Sequence, residues 1–168
     1  MRRTVVTICA LLTLAACRGP EPIEPTPSPE PTGTTTAAPD PTVTEPTLPD
    51  QARRNTPEGA AAFVGYWVKT FNYAARTGDI RPIERVSEDC NACRPYLESL
   101  EEVASQGDLA TRDLWDLRRT LVTRNGAVFE ASATIRTRSS TGAKVERIGF
   151  RLRPGDSPRV IDLYRIES

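Results

Sequence analysis

The chain has no histidine among its 168 residues. Imidazole is the one side chain whose ordinary pKa lies near neutrality, so a frequent general acid or base and a frequent metal ligand are both missing. Charge of one sign is missing as well. The 22 basic residues face 22 acidic ones, which gives nucleic acid no electrostatic footprint to bind. Long apolar runs are absent too. The run Val5–Leu14 falls well short of the roughly 20 residues that a membrane-spanning helix needs. No catalytic motif stands out, and no cofactor is expected.

What is present begins at the amino terminus. Met1-Arg2-Arg3 is a short positive segment, Val5–Leu14 is apolar, and Leu14-Ala15-Ala16-Cys17 follows at once. This order predicts a signal peptide over residues 1–16. Leu-Ala-Ala-Cys resembles the lipobox of bacterial lipoproteins. That resemblance implies cleavage between Ala16 and Cys17 and a thioether-linked diacylglycerol on Cys17. Two acyl chains hold a protein on a membrane where a single chain is marginal. The expected location is therefore the outer face of the cytoplasmic membrane, with the membrane itself as a partner through the anchor. The competing reading is an ordinary secretory signal followed by a chance cysteine.

Residues 18–50 carry ten of the fifteen prolines, with Thr, Glu, Ser and Gly in most of the gaps. Such chain has too little apolar surface to offset the entropy of ordering it. Residues 17–54 are thus predicted to be a lipidated, disordered tether, with a polyproline reach on the order of 100 Å. Glu21, Glu24, Glu30, Asp40, Glu45 and Asp50 make it acidic. Residues 51–168 hold 19 basic and 16 acidic residues, a net +3. The foldable domain is expected over residues 55–168.

Four cysteines are present. Cys9 leaves with the signal peptide and Cys17 takes lipid, so Cys90 and Cys93 remain as an even pair in an oxidising compartment. A local disulfide is the simplest reading. A thiol–disulfide redox pair is the alternative, but Glu88 and Asp89 directly before Cys90 disfavour the thiolate that such chemistry needs. Zinc held by Cys and His requires four ligands, which the mature chain does not have, so no metal is expected.

In the domain, Thr56-Pro57-Glu58 reads as a helix start. Ala60, Phe63, Val64, Trp67, Val68, Phe71, Ala74 and Ala75 follow helical spacing, up to a glycine cap at Gly78. A short second helix is predicted over Ile80–Arg85 and a third over Asn91–Gln106, stopping at Gly107. Strands are predicted over Leu114–Arg124, Ala127–Arg138, Lys144–Arg153 and Arg159–Ile166. Asn125-Gly126 supplies the first hairpin turn. Strict alternation places Trp115, Leu117, Leu121, Phe129, Ala131, Ala133, Ile135, Ile148, Phe150 and Leu152 on one apolar face. The fold class is α+β: amino-terminal helices packed on a curved, antiparallel four-stranded sheet.

Ala62-Phe63-x-x-Tyr66-Trp67, Asn72-Tyr73-Ala74, Thr77-Gly78-Asp79 and Cys90-x-x-Cys93 occur in that order. With the lipobox and the proline-rich tether, they resemble an uncharacterised family of actinobacterial lipoproteins, a domain of unknown function. The order of elements is also similar to the nuclear-transport-factor-2-like roll. That likeness implies a pocket between the long first helix and the sheet, and it implies no activity.

Three candidate sites follow. On strict alternation, Asp162 and Tyr164 share a face of the last strand and would enter a pocket lined by Tyr66, Trp67, Tyr73 or Trp115. A carboxylate there could serve as a general base; otherwise Asp162 faces solvent or pairs with an arginine. Arg118, Arg136, Arg147, Arg151 and Arg153 point away from the apolar face and could bind an anionic wall polymer, headgroup or phosphate. Asp116 and Glu130 share that side and could pair with them instead. Phe63, Trp67 and Phe71, four residues apart, are core. The expected function is a non-enzymatic envelope lipoprotein whose domain binds a ligand, a cell-wall component or an envelope protein. The alternatives are a roll-superfamily enzyme using Asp162 and Tyr164, and an oxidoreductase using Cys90 and Cys93.

Overall fold

Helix α1 (Pro57–Thr77) forms where the capping chemistry places it. Thr56 Oγ1 accepts from the Gly59 amide at 3.1 Å, satisfying one of the orphan donors of the first turn. Gly78 ends the helix with φ of 76°, a conformation that costs glycine nothing. The computed structural model describes residues 43–167. The predicted signal peptide, Ala16–Cys17 cleavage point and Cys17 lipidation, and the predicted tether as far as residue 42, lie outside the described residues.

Helix α2 (Arg81–Ser87) and helix α3 (Arg94–Gln106) follow. The segment predicted as the start of the third helix, Asn91–Cys93, is instead a separate 3-10 turn. Cys90 and Cys93 form a disulfide across it, and the Cys93 amide donates to the Cys90 carbonyl at 3.1 Å. The covalent link and the hydrogen bond tighten the same three-residue step.

Strands β1 (Trp115–Asn125), β2 (Val128–Ser139), β3 (Gly142–Arg153) and β4 (Arg159–Ile166) make an antiparallel meander in the order β1-β2-β3-β4. The helices cover one face. Phe129, Ala131, Ala133, Ile135, Ile148, Phe150, Leu152, Val160 and Leu163 are buried there against Phe63, Val64, Trp67 and Phe71 of α1. Burying each of the large side chains contributes roughly 1.5–3 kcal/mol. The molecule is therefore α+β, with three helices packed on a four-stranded antiparallel sheet. The first hairpin closes one residue later than predicted. Asn125 pairs with Val128, so Gly126, at φ of 60°, opens the two-residue loop instead of closing it.

Two register shifts alter which side chains face the core. The β1–β2 register slips between Leu117 and Arg119, leaving Arg118 as an extra residue. The β3–β4 register slips at Arg151/Leu152, leaving Ile161 as the extra residue. Such a bulge reverses the alternation for everything on one side of it. Val122 packs inward, while Leu121, expected inside, is 55% exposed on the outer face. Leu163 is buried and Tyr164 is 43% exposed.

The domain also begins earlier than residue 55. Asp50–Arg53 is a 3-10 helix, Ala52 is buried, and Leu48 packs against the core. Gly59 explains how it docks. A β-carbon at Gly59 would lie 2.1 Å from the Arg54 carbonyl oxygen and 2.9 Å from that of Gln51. Only a residue with no side chain lets this segment lie on α1. Proline content alone misassigned residues 43–54 to the tether, because a few apolar contacts suffice to fix a chain that proline has already stiffened.

Candidate functional site

One stripe of α1 carries Gly65, Lys69, Asn72 and Arg76, spaced one helical turn apart. It faces the segment that leads into β1. Two bonds fix that approach. The Ala110 amide donates to the Ala75 carbonyl at 2.8 Å, and the Arg138 amide donates to the Leu114 carbonyl at 2.8 Å. Asn72 completes the clamp. Its Nδ2 donates to the Trp115 carbonyl at 2.7 Å. Its Oδ1 accepts from the amides of Leu114 at 3.0 Å and Trp115 at 2.9 Å.

Between the stripe and this segment lies an open cleft of about 840 Å³. Gly65, Val68, Leu117 and the edge of Trp115 form its apolar part. Lys69, Arg76, Arg112 and Arg138 face two carboxylates, Asp113 and Asp116. The carboxylates are already engaged. Asp113 lies 3.8 Å from Arg76. Asp116 lies 2.6 Å from Arg118 and 3.4 Å from Arg138. Lys69 and Arg112 are exposed, and among the described residues neither has an ion pair. A smaller hollow of about 330 Å³ adjoins on the other side of Lys69 and Arg76, walled by Val43, Thr44 and Pro46.

Trp115 and Arg138 also border a second hollow, of about 530 Å³, beside the β2–β3 turn. Tyr96, Trp115 and Ile148 line it, together with Glu146. Glu146 accepts from Thr137 Oγ1 at 3.2 Å and lies 3.0 Å from Lys144 Nζ and 3.2 Å from Arg165 Nε. Burial works to raise its pKa, but the Lys144 ammonium, the Arg165 guanidinium and the Thr137 hydroxyl outweigh it and hold the carboxyl below its ordinary value of 4.5. That is the environment of a fixed anion, unlike that of a base poised near neutrality. Among the described residues, no group of three or more Cys, Asp or Glu is placed to hold a metal ion.

The six residues expected to share a pocket are not gathered around one: Trp67 and Trp115 touch, with ring centroids 5.7 Å apart, but they do so in the core, and Asp162 and Tyr164 lie on the other face of the sheet. Trp67 is fully buried in the core, its indole donating to Ser87 Oγ at 2.9 Å. Trp115 packs on Phe71 with centroids 4.6 Å apart and on Tyr96 at 5.6 Å. Tyr66 is buried and edges a different hollow, with Arg53, Arg85 and Arg159. Tyr73 sits beside residues 43–46. Asp162 lies opposite Arg151 in the sheet, and its Oδ1 accepts from the Leu163 amide at 2.9 Å. Tyr164 lies over Gly149 on the outer face, where a β-carbon would come within 2.3 Å of the ring. The bulge at Ile161 is the reason: it turns Asp162 and Tyr164 away from the helices. The general-base reading of Asp162 falls with that geometry.

Of the five arginines expected to form an anion-binding face, three are paired with carboxylates. Arg118 pairs with Asp116, Arg151 with Glu130 at 3.3 Å and Arg153 with Asp89 at 2.8 Å. Arg147 donates to the Glu167 carbonyl at 3.1 Å, and Arg136 is exposed. Pairing has largely consumed this set, and Arg118 sits at the bulge instead of in a row with the others. Lys69, Arg76, Arg112 and Glu146 are not among the residues the sequence singles out, and Asn72 enters there only within the Asn72-Tyr73-Ala74 motif. The signal for Lys69, Asn72 and Arg76 was present as a polar stripe at helical spacing beside the apolar one.

The Cys90 and Cys93 residues are 5% and 0% exposed. Thiol–disulfide exchange requires an incoming thiolate to reach a sulfur, so this placement fits a structural staple. No described helix is long and apolar enough to cross a membrane.

Compared with known protein families, residues 32–138 match a model described as a family of unknown function, DUF6318. No curated protein matches the chain, and no solved structure does.

Proposed function

The chain belongs to the family of unknown function DUF6318, a membership that brings no activity with it, and we propose that it is a lipid-anchored envelope protein whose folded domain is a binding module. The α1–β1 cleft is its binding site. The observation that carries this reading is the cleft itself. It is an open concavity of about 840 Å³ with an apolar floor, a clamped rim and two cations left without ion pairs among the described residues. Sites for small ligands combine apolar lining with a few placed polar groups in this way.

The lipobox motif supports the location. Cys17 would carry diacylglycerol, and the proline-rich chain after it would hold the domain off the outer face of the cytoplasmic membrane. The occupant is then a small ligand, a cell-wall component or an envelope protein within reach of the tether.

Two measurements test the two halves. Metabolic labelling with radioactive palmitate should mark the wild-type chain and leave Cys17→Ala unmarked; equal labelling would remove the anchor. A benzophenone amino acid at position Thr111, on the exposed cleft rim, should form an adduct in living cells. Light-dependent adducts at an outer-face position such as Arg151 but none at Thr111 would move the site off the cleft.

A further inference from the structure

We propose that the α1–β1 cleft selects a ligand carrying one phosphate or carboxylate group on an apolar body, with the anion seated between Lys69 and Arg112. This rests on the reading that the cleft is the binding site.

Charge accounting inside the cleft sets the sign of the ligand. Four cations and two carboxylates line it. Both carboxylates are neutralised, Asp113 by Arg76 and Asp116 by Arg118 and Arg138. A cationic ligand would meet only acids already in ion pairs and two positive groups that have none among the described residues. A neutral ligand would bring those groups no compensation. An anion near Lys69 and Arg112 supplies it, and charge-assisted bonds from an ammonium and a guanidinium are stronger than neutral ones.

The size of the charge follows from the same count. Two uncompensated cations suit one phosphate or carboxylate. They do not make the long basic track that a polyanion needs.

The apolar part sets the rest of the ligand. Gly65 stands where α1 passes Leu117, and the nearest atom to a β-carbon placed there is Leu117 Cδ2, at 3.9 Å. The floor is thus open and lined by Gly65, Val68, Leu117 and Trp115. A bare inorganic anion would leave it uncovered, whereas an apolar body removes it from water at about 25 cal/mol per Å². Asn72 contributes no contact, because its amide is already engaged by three backbone groups of the β1 approach.

The test uses the mature full chain in nanodiscs of zwitterionic lipid, titrated calorimetrically against empty nanodiscs. The probes are 1-naphthyl phosphate, inorganic phosphate and 1-naphthol. 1-Naphthyl phosphate should bind at least tenfold more tightly than either fragment. The Lys69→Ala/Arg112→Ala variant should lose at least tenfold in affinity, and Arg151→Ala on the outer face should not change it. Both replaced side chains are exposed, and an unchanged thermal midpoint confirms that the variant is folded.

Dihexanoyl phosphatidic acid forms a second arm. Tighter binding than 1-naphthyl phosphate assigns the anion to a lipid headgroup, and weaker binding assigns it to a soluble or wall-derived phosphate. Equal binding by wild type and the double variant overturns the proposal, as does absence of saturable binding by 1-naphthyl phosphate. If those titrations fail while the Thr111 adduct still forms in cells, the ligand class is wrong and the cleft stands. If the adduct is absent too, both readings fall.

Discussion

Asn72 is the residue on which the geometry of the cleft depends most directly, and its replacement gives a prediction with a calculable size. Its side chain is buried, at 6% exposure. It makes three hydrogen bonds to the backbone at the entry of β1, of 2.7, 3.0 and 2.9 Å. Asn72→Ala removes all three and leaves two amides and one carbonyl without their partner. Each bond contributes about 1 kcal/mol net, and an orphaned buried group adds a penalty of its own. The expected loss is about 3–4 kcal/mol. For a domain of this size the urea slope is roughly 1–3 kcal/mol/M, so the midpoint should fall by about 2 M. Equilibrium urea unfolding read by the fluorescence of Trp67 and Trp115 measures it. A loss below about 1 kcal/mol would show that water entering through the cleft replaces the side chain, and the clamp would be refuted.

Asn72→Asp separates the donated bond from the two accepted ones. A carboxylate can still accept from both amides, but it faces the Trp115 carbonyl across the 2.7 Å contact. Burial and that carbonyl both raise the pKa of the new acid in the folded state. A group with a raised folded pKa stabilises the fold below its unfolded pKa, and that stability is lost as pH rises through the folded value. The variant should therefore be weak near pH 8 and approach wild type as pH falls toward 4, where the protonated acid can donate. A deficit that does not vary with pH would contradict this assignment of the amide.

Gly59→Ala should destabilise by about 1–3 kcal/mol in thermal or urea unfolding, although alanine normally favours a helix over glycine by nearly 1 kcal/mol; the reversed sign reports the Asp50–Arg53 segment lying on α1. Gly149→Ala should cost at least 1 kcal/mol in wild type and much less in a Tyr164→Ala background, because the three atoms nearest the added methyl all belong to the Tyr164 ring; additive effects in that double-mutant cycle would show the ring is not seated there. Glu146→Gln should lower stability at pH 7. Because the Glu146 pKa lies below 4.5 in the fold, its contribution is present above that value and lost as pH falls through the lower folded one, so the two proteins should converge in unfolding measurements in acid.

Much of the architecture was legible in the sequence because it is written in local chemistry. Thr56 with Pro57, and the glycines at 78 and 107, mark helix ends by capping that any neighbourhood would reward. The alternation of Phe129, Ala131, Ala133 and Ile135 names the inner face of β2 without reference to the rest of the chain. The docking of residues 48–54 was not legible. It depends on the missing side chain of Gly59, the proline-rich chain over residues 18–50 having already suggested a tether. The hairpin loop was misplaced by one residue for a related reason: Asn-Gly is read as a unit, while the pairing of Asn125 with Val128 is decided by the whole ladder.

The candidate site was lost at two single residues, Arg118 and Ile161. Each is the extra residue of a bulge, and neither residue type announces one. Alternation is a parity rule, so a single inserted residue leaves the pattern intact and reverses its meaning beyond that point. At Ile161 the reversal carried Asp162 and Tyr164 out of the space under the helices. At Arg118 it released Leu121 to the surface and brought Val122 in. The cleft, by contrast, is assembled from α1, the loop after α3 and the ends of β1 and β2, which are joined by backbone bonds and by the Asn72 side chain between residues far apart in the chain. A polar stripe on a helix can be read from spacing, but what stands opposite it cannot. For that reason Lys69 and Arg112, 43 positions apart in the chain, come to line one cleft only once the fold has closed around Asn72.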